Sequence, residues 1–498
     1  MNRAALYLHA LRAARPEQLR ARALRPVRRR RFPSVAGSPS FRPLEVALWR
    51  SPAFAGADAV AGDGAVTLLG EELPFPPADW RLPGEPRLRR FHLHYGEEVL
   101  GWARRGDADA AAHALAAWIA GNPPRVGDAW HPYPLSTRAG NWVAALSLLP
   151  GLATPAVVTS LARQLAFLER NVEDDVLGNH VIRNARALVL GGEALGEPRL
   201  VEAGLSLLRR ELPVQLLDDG GHYERSPTYH LVVLRDLLEM RAASGAAWLD
   251  GTIEHMAAFA AVLARPDGKP ALFNDGALDL APELPLPPPP DGLTVLADTG
   301  YAVLRERGVW LAFDFGAASP AFLPAHAHAD ALSFQLWVDG RPLVVDPGAF
   351  TYEPGPDRDW FRSTAAHSTV SFGGRDQFEL WGPFRSGPLP VPRLLSTSPL
   401  EAEVRLGAYT HRRRLRLEEA HLAVEDELEG PGEVLVRSTL PLGGEADVQP
   451  IGDLELTTEQ GWLSERMLER APITLLRAEG RVRLPARAGW RIGLRSRG

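Results

Sequence analysis

Four stretches of this sequence concentrate side chains able to move protons, hold a metal ion or grip an anion. The densest is Pro324-Ala-His326-Ala-His328-Ala-Asp330-Ala-Leu-Ser-Phe334. On an extended chain, residues two apart point the same way, so His326 and His328 share a face. Asp346 follows in Val-Val-Asp346-Pro-Gly348, and His367 in Arg362-Ser-Thr-Ala-Ala-His367-Ser-Thr369. Histidine and aspartate together suit a zinc-type ion. An H-x-H pair alone equally fits histidines that only hydrogen-bond within a core.

The second stretch is Gly178-Asn179-His180-Val-Ile-Arg183-Asn184, and the third runs Asp219-Gly-Gly-His222-Tyr223-Glu224-Arg225-Ser226-Pro227-Thr-Tyr229-His230. Ser226-Pro227 has the pattern of an N-cap followed by proline at the first helical position. Tyr229 then falls in the first helical turn, where the macrodipole favours an anion, and a lowered phenol pKa would suit proton transfer. The fourth stretch, Trp130 to Trp142, combines aromatic plates with Arg138 and Asn141. Trp142 suits a sugar ring and Arg138 a carboxylate, although helix packing explains Trp142 equally well.

Three zones must position these groups. Residues 1–85 are rich in Arg, Pro and Gly and form an arm and lead-in. Residues 86–280 carry helical periodicity, as in Val158, Leu161, Leu165 and Leu168, and predict stacked helical hairpins. Residues 281–294 are too proline-dense for a helix and predict an extended linker. From 295 to 498 the period changes to two. Hairpin turns are expected at Arg307-Gly308 and Asp339-Gly340, and further strands at 368–372, 401–406, 411–417, 421–426, 433–440 and 473–479. The fold class is therefore α+β and multidomain, with a helical domain followed by antiparallel sheets packed as a sandwich.

Composition narrows the function. The 498 residues carry a net charge of −6, which gives the whole molecule no electrostatic case for nucleic acid. Cysteine is absent, excluding disulfides, thiolate metal sites and thiol nucleophiles. Lys269 is the single lysine, and no phosphate-binding G-x-x-x-x-G-K-[ST] loop occurs. Residues 1–31 contain ten arginines and one glutamate, interleaved with Leu6, Leu11, Leu19 and Leu24. That pattern fits a surface helix with a solvated basic face, or a peripheral contact with an anionic membrane or polymer. No apolar run is long enough to span a bilayer, and Arg12, Arg15 and Pro16 interrupt any secretory signal. The expected location is the cytoplasm or membrane periphery, with the periplasm open.

Taken in order, Asn179-His180, Asp219 to His230, His326 to Phe334, Asp346-Pro-Gly-Ala-Phe-Thr-Tyr352 and Arg362 to Val370 resemble the heparinase II/III family of polysaccharide lyases. Ala327 stands where that family commonly has glycine, and Ser368 where it has asparagine. The resemblance implies an incomplete (α/α) toroid docked on the sandwich, and β-elimination of a uronic-acid-containing polysaccharide. It implies Asn179, His180, Tyr229 and His326 as catalytic residues, with His328, Asp346 and His367 holding a structural Zn2+ and no organic cofactor. Candidate substrate contacts are Arg138, Asn141, Trp142 and Arg183, together with His222, Glu224, Tyr352 and Arg362. Two rivals stand beside it: a glycoside hydrolase pairing Glu224 with Asp219 or Asp346, and a non-catalytic binder in exopolysaccharide assembly. The particular polymer and the oligomeric state are not encoded in any motif.

Overall fold

The computed structural model describes all residues except 1–2, 36, 38, 52–59, 61–63 and 495–498. Helices Arg3–Ala13 and Pro16–Arg28 and the hairpin Ala65–Leu68/Glu71–Pro74 precede the main helical array. That array runs Arg87–His92, Glu97–Arg105, Ala108–Gly121, Pro132–Leu148, Pro155–Glu169, Asn179–Leu195, Pro198–Gln215, Pro227–Ser244 and Asp250–Leu263. Proline opens four of these helices, where its fixed φ fits and its missing N–H costs no bond. Gly196 and Gly245 close two of them at φ 67 and 70, a conformation that a Cβ disfavours.

Helix Asn179–Leu195 lies at the centre of the toroid. Its Ala187, Leu188 and Leu190 join the core containing Trp118, Trp142 and Leu165, while Ile182, Ala185 and Val189 join Leu208, Leu234 and Met240 on the other side. Apolar residues on both faces hold it between layers, so its N-terminal Asn179 and His180 are rigidly placed. The next helix approaches so closely that a Cβ on Gly204 would lie 2.7 Å from the Ala185 carbonyl oxygen.

The C-terminal half forms two antiparallel sheets. The larger runs 455–466, 469–483, 433–442, 341–344, 334–338, 309–314, 301–306, 292–296, with 370–372 also pairing to 433–442. The smaller runs 448–451, 486–493, 421–429, 409–417, 400–406, 393–397. Phe313 and Leu336 from the first meet Leu415, Val424 and Trp490 from the second in one core. Both expected two-residue turns are present, with Glu306 opposite Val309 and Val338 opposite Arg341. Strands 292–296, 393–397, 448–451, 455–466 and 486–493 were not expected. The first six residues of 455–466 are all exposed, so that edge strand has no apolar alternation to read.

The Pro-rich stretch 282–290 has no regular secondary structure, yet Leu284 and Leu286 rest on the helical cores. Ser226 occupies the N-cap position, but its hydroxyl makes no cap bond and donates to the Asp275 carbonyl at 3.2 Å. Among the described residues, no helix is long and apolar enough to cross a membrane. The close helix approach gives a test. Gly204→Ala is expected to destabilise by about 1–3 kcal/mol through overpacking. Gly251→Ala, in a helix with nothing near the new Cβ, is expected to stabilise by about 0.4–1 kcal/mol. Urea unfolding of the two variants checks the opposite signs.

Candidate active site between the helical and sheet domains

One buried carboxylate organises the junction. Asp275 is fully enclosed. Its Oδ2 accepts from Arg358 Nη2 and His326 Nδ1, both at 2.9 Å, and its Oδ1 accepts from His328 Nε2 at 3.0 Å and from Arg358 Nη1. Its amide donates to the His326 carbonyl at 3.2 Å. Neighbouring Asn274 accepts from the His328 amide at 3.1 Å and donates to the Arg225 carbonyl at 2.8 Å. Burial alone would raise the Asp275 pKa, but Arg358 and the histidine bonds outweigh it and hold the carboxyl well below its ordinary range. Neither Asp275 nor Arg358 was singled out from sequence, because Phe273-Asn274-Asp275-Gly276 has the composition of an ordinary turn.

Above this node lies a cleft of about 1110 Å³, walled by both domains and by the N-terminal arm. Tyr229 and His326 converge there: their rings stack with centroids 4.0 Å apart and planes 26° apart. The Tyr229 and Tyr352 hydroxyls are 2.6 Å apart. Tyr229 does sit in the first turn of its helix, but its pKa moves opposite to expectation. Burial, reinforced by Tyr352 and Asp275, raises the phenol well above its ordinary value. Desolvating a phenolate costs more here than the helix end returns.

On the facing wall, His180 Nδ1 lies 3.2 Å from Glu173 Oε1, and the His180 ring packs 4.3 Å from that of Tyr133. Burial opposes the Glu173 charge most, but His180, His131 and Arg29 together outweigh it and hold the carboxyl down to about 2. Glu173 was missed in the sequence because it reads as part of the charge run Glu173-Asp174-Asp175, whereas Tyr133 belongs to the aromatic stretch from Trp130 to Trp142. Asn179, at the head of its helix, is buried and does not line the cleft, and its Oδ1 has no hydrogen-bond partner. Its amide donates to Glu224 Oε1 at 3.2 Å. Gly178 precedes it at φ 62, and a side chain there would collide with that Glu224 oxygen. Glu224, its pKa raised by burial, has its other oxygen 3.9 Å from His326 Nε2.

Asn141, Arg183, Glu224 and Tyr352 line the cleft as expected substrate contacts should, and Arg183 is paired to Asp236 at 3.0 Å. Four other expected contacts do not reach it. Arg138 is spent on Gln164, the His94 and Ala129 carbonyls and the Trp118 ring. Trp142 is fully buried edge-on to Trp118 in the helical core. His222 lies behind Glu224 and bonds Gln215 at 2.9 Å. Arg362 braces the carbonyls of Ala327, Gly382 and Pro383. For Arg138, His222 and Arg362, buried backbone or side-chain acceptors consume the polar group that sequence alone left free, whereas Trp142 is taken up by ring packing. The hydrolase pairing also loses its partners: Asp219 caps the backbone at 298–299, and Asp346 accepts from the Gly348 amide inside the sheet domain.

Behind His326, a second polar group can hold a metal ion. Side chains of His328, Asp330 and His367 offer ligand atoms within 4.8 Å of one another, all buried. Asp330 therefore replaces Asp346 as the carboxylate that groups with both histidines; Asp346 approaches His367 alone, at 3.8 Å. His328 donates from Nε2 to Asp275, and His367 donates from Nδ1 to the Ser363 carbonyl at 2.8 Å. Their remaining nitrogens, His328 Nδ1 and His367 Nε2, face each other at 3.2 Å with lone pairs toward a common point. Both Asp330 oxygens are buried without a partner. A cation would relieve both conditions, so the residues fit one. The Ser368 hydroxyl bonds the Phe334 backbone, and its carbonyl accepts from Arg413.

Residues 104–280 match the family described as heparinase II/III N-terminus, and residues 288–492 match heparinase II/III-like, C-terminal. A heparin-sulfate lyase of Bacteroides stercoris is 25% identical over 309 residues, covering 51% of this chain and 46% of that protein. The FtsZ-localized protein C of Caulobacter vibrioides is 26% identical over 337 residues, covering 60% and 57%. The chain spans about half the length of the curated relatives it matches. Among solved structures, a heparinase III superposes with a TM-score of 0.70 at 17% identity, covering 96% of this chain and 89% of that one. A chondroitin AC lyase of Streptomyces coelicolor gives 0.52 at 15% identity, covering 98% and 80%. With helices and sheets arranged as in these toroid-plus-β proteins, and with two adjoining family matches that span most of its length, the chain belongs to the heparinase II/III-like family.

Proposed function

We propose that this chain is a polysaccharide lyase that cleaves a uronic-acid-containing polymer by β-elimination. The observation that carries the reading is the convergence of Tyr229, His326 and Tyr352 on a cleft whose facing wall holds His180 backed by an ionised Glu173. In the reaction the C5 proton passes to a base, the C4–O bond breaks, a C4=C5 double bond forms, and the departing glycosidic oxygen is protonated. The C5 proton is a poor acid because the adjacent carboxylate is already negative, so donors must offset that charge. Arg183 lines the cleft with a buried Nη1 that has no hydrogen-bond partner, which makes it the candidate to receive the carboxylate, with His326 also on the cleft wall.

A Tyr229 phenol raised by burial stays protonated, which makes it the acid for the leaving oxygen. Glu173 beside Nδ1 favours the proton on that nitrogen and leaves Nε2 of His180 with the lone pair of a base. The ion is proposed to be zinc and structural: its candidate ligands are enclosed, and bound there it would supply positive charge among the buried Asp314, Asp330 and Asp346.

A panel of acidic polysaccharides, followed by the ultraviolet absorbance of an unsaturated uronate, tests the activity. Reducing ends released without that absorbance would signify hydrolysis and overturn the reading. Tyr229→Phe is expected to lower kcat by about 10²–10⁴-fold with KM little changed. Because the folded-state phenol pKa is raised, its acid form persists as pH rises, so the Tyr229-dependent loss of rate is expected only above about pH 10. Metal analysis of the purified chain is expected to find about one zinc. Asp330→Asn should lower that content more than Asp346→Asn.

A further inference from the structure

The two helices of the N-terminal arm present a face that nothing among the described residues covers. Their inner side is committed. Leu6, Gln18 and Ala21 are buried, Arg25 pairs with Asp175 at 2.8 Å, and Arg15 lies over the Phe322 ring at 3.7 Å. With Gln18, Ala21 and Arg25 inward, helical spacing turns Leu19, Arg20, Ala23, Leu24 and Val27 outward. On the preceding helix, Leu8, Leu11 and Arg12 form a matching row. Of the thirteen large apolar side chains left exposed among the described residues, six lie in these two helices, and no other stretch contributes more than two. Those of the outward rows are 38–55% exposed. Surface apolar residues are ordinarily scattered, so the cluster marks a contact.

Charge identifies what it contacts. Residues 1–31 carry a net +9 within a chain of net −6, leaving −15 on the remainder. We propose that this arm docks the protein on an anionic lipid bilayer. Leucine and valine enter the boundary between headgroups and acyl chains, while the exposed Arg12, Arg20 and Arg31 meet the lipid phosphates. An acidic polymer offers the charge but no apolar medium, and a second copy offers negative charge but no comparable apolar cluster outside the arm. The inner side of the same helix, through Arg25, Pro26 and Arg29, lines the cleft. Docking therefore holds the cleft at the membrane surface, whatever reaction the cleft performs.

The test uses the full chain and vesicle flotation with phosphatidylcholine alone or mixed with phosphatidylglycerol. Flotation only with the anionic vesicles, weakening as salt rises, is expected. Leu19→Glu/Leu24→Glu/Val27→Glu should abolish it, and Arg12→Glu/Arg20→Glu should weaken it at least about tenfold. These side chains face outward, so the thermal midpoint should hold, and Leu19→Ile/Leu24→Ile should restore binding if a glutamate variant loses its fold. Absence of flotation, equal flotation with neutral vesicles, or binding untouched by the glutamates would overturn the proposal. So would a concentration-dependent dimer that the same glutamates dissolve without any vesicle binding.

Discussion

A buried aspartate that must remain charged governs the geometry of this protein. Asp275 lies between two domains, out of water, and its ionised state survives because Arg358, His326 and His328 all donate to it. Removing one partner of such a charge is costly, since the others cannot compensate for lost solvation. Its donors come from the helix Pro356–Arg362 and the loop before strand Phe334–Val338, while its carbonyl accepts from Ser226 at the head of the Tyr229 helix. Satisfying one carboxylate thus sets the separation of the toroid and the sandwich, and with it the width of the cleft.

The same carboxylate divides the labour of two histidines. His326 and His328 lie two residues apart and both bond Asp275, but through different ring nitrogens. His326 is left facing Tyr229 and the cleft. His328 is left with Nδ1 toward His367 and the buried metal-binding group. One carboxylate orients both the cleft imidazole and an imidazole of the group that can hold a metal ion, so the two sites are mechanically joined.

Across the cleft, the polar groups are poised by opposite means. Glu173 is kept ionised by nearby histidine, whereas the Tyr229 phenol is kept neutral by burial. A site that keeps a base-supporting carboxylate charged and an acid protonated at one pH holds both forms ready without substrate. The arm adds cations to the mouth of the same cleft through Arg25 and Arg29. Both walls of the site therefore depend on groups held by the tertiary fold.

Local chemistry in the chain determined a good deal. The alternation of 301–305 and 309–315 around Arg307-Gly308 needs only neighbouring residues to specify a hairpin, and the 3/4 spacing at 158–168 needs only its own turn to specify a helix. Order and motif pointed to His180, Tyr229 and His326, which do line one cleft, and to Asn179, which lies buried outside it. What the tertiary structure alone decided is which polar groups are already spent. Arg138, Trp142, His222 and Arg362 look available in sequence, yet each is engaged by buried partners that no local motif announces. Asp275 and Glu173 look ordinary, yet enclosure among charged partners holds both carboxyls below their usual range. Spacing along a chain reports the direction of a side chain; only packing reports its dielectric surroundings and its competitors for hydrogen bonds, and those decide protonation and reactivity.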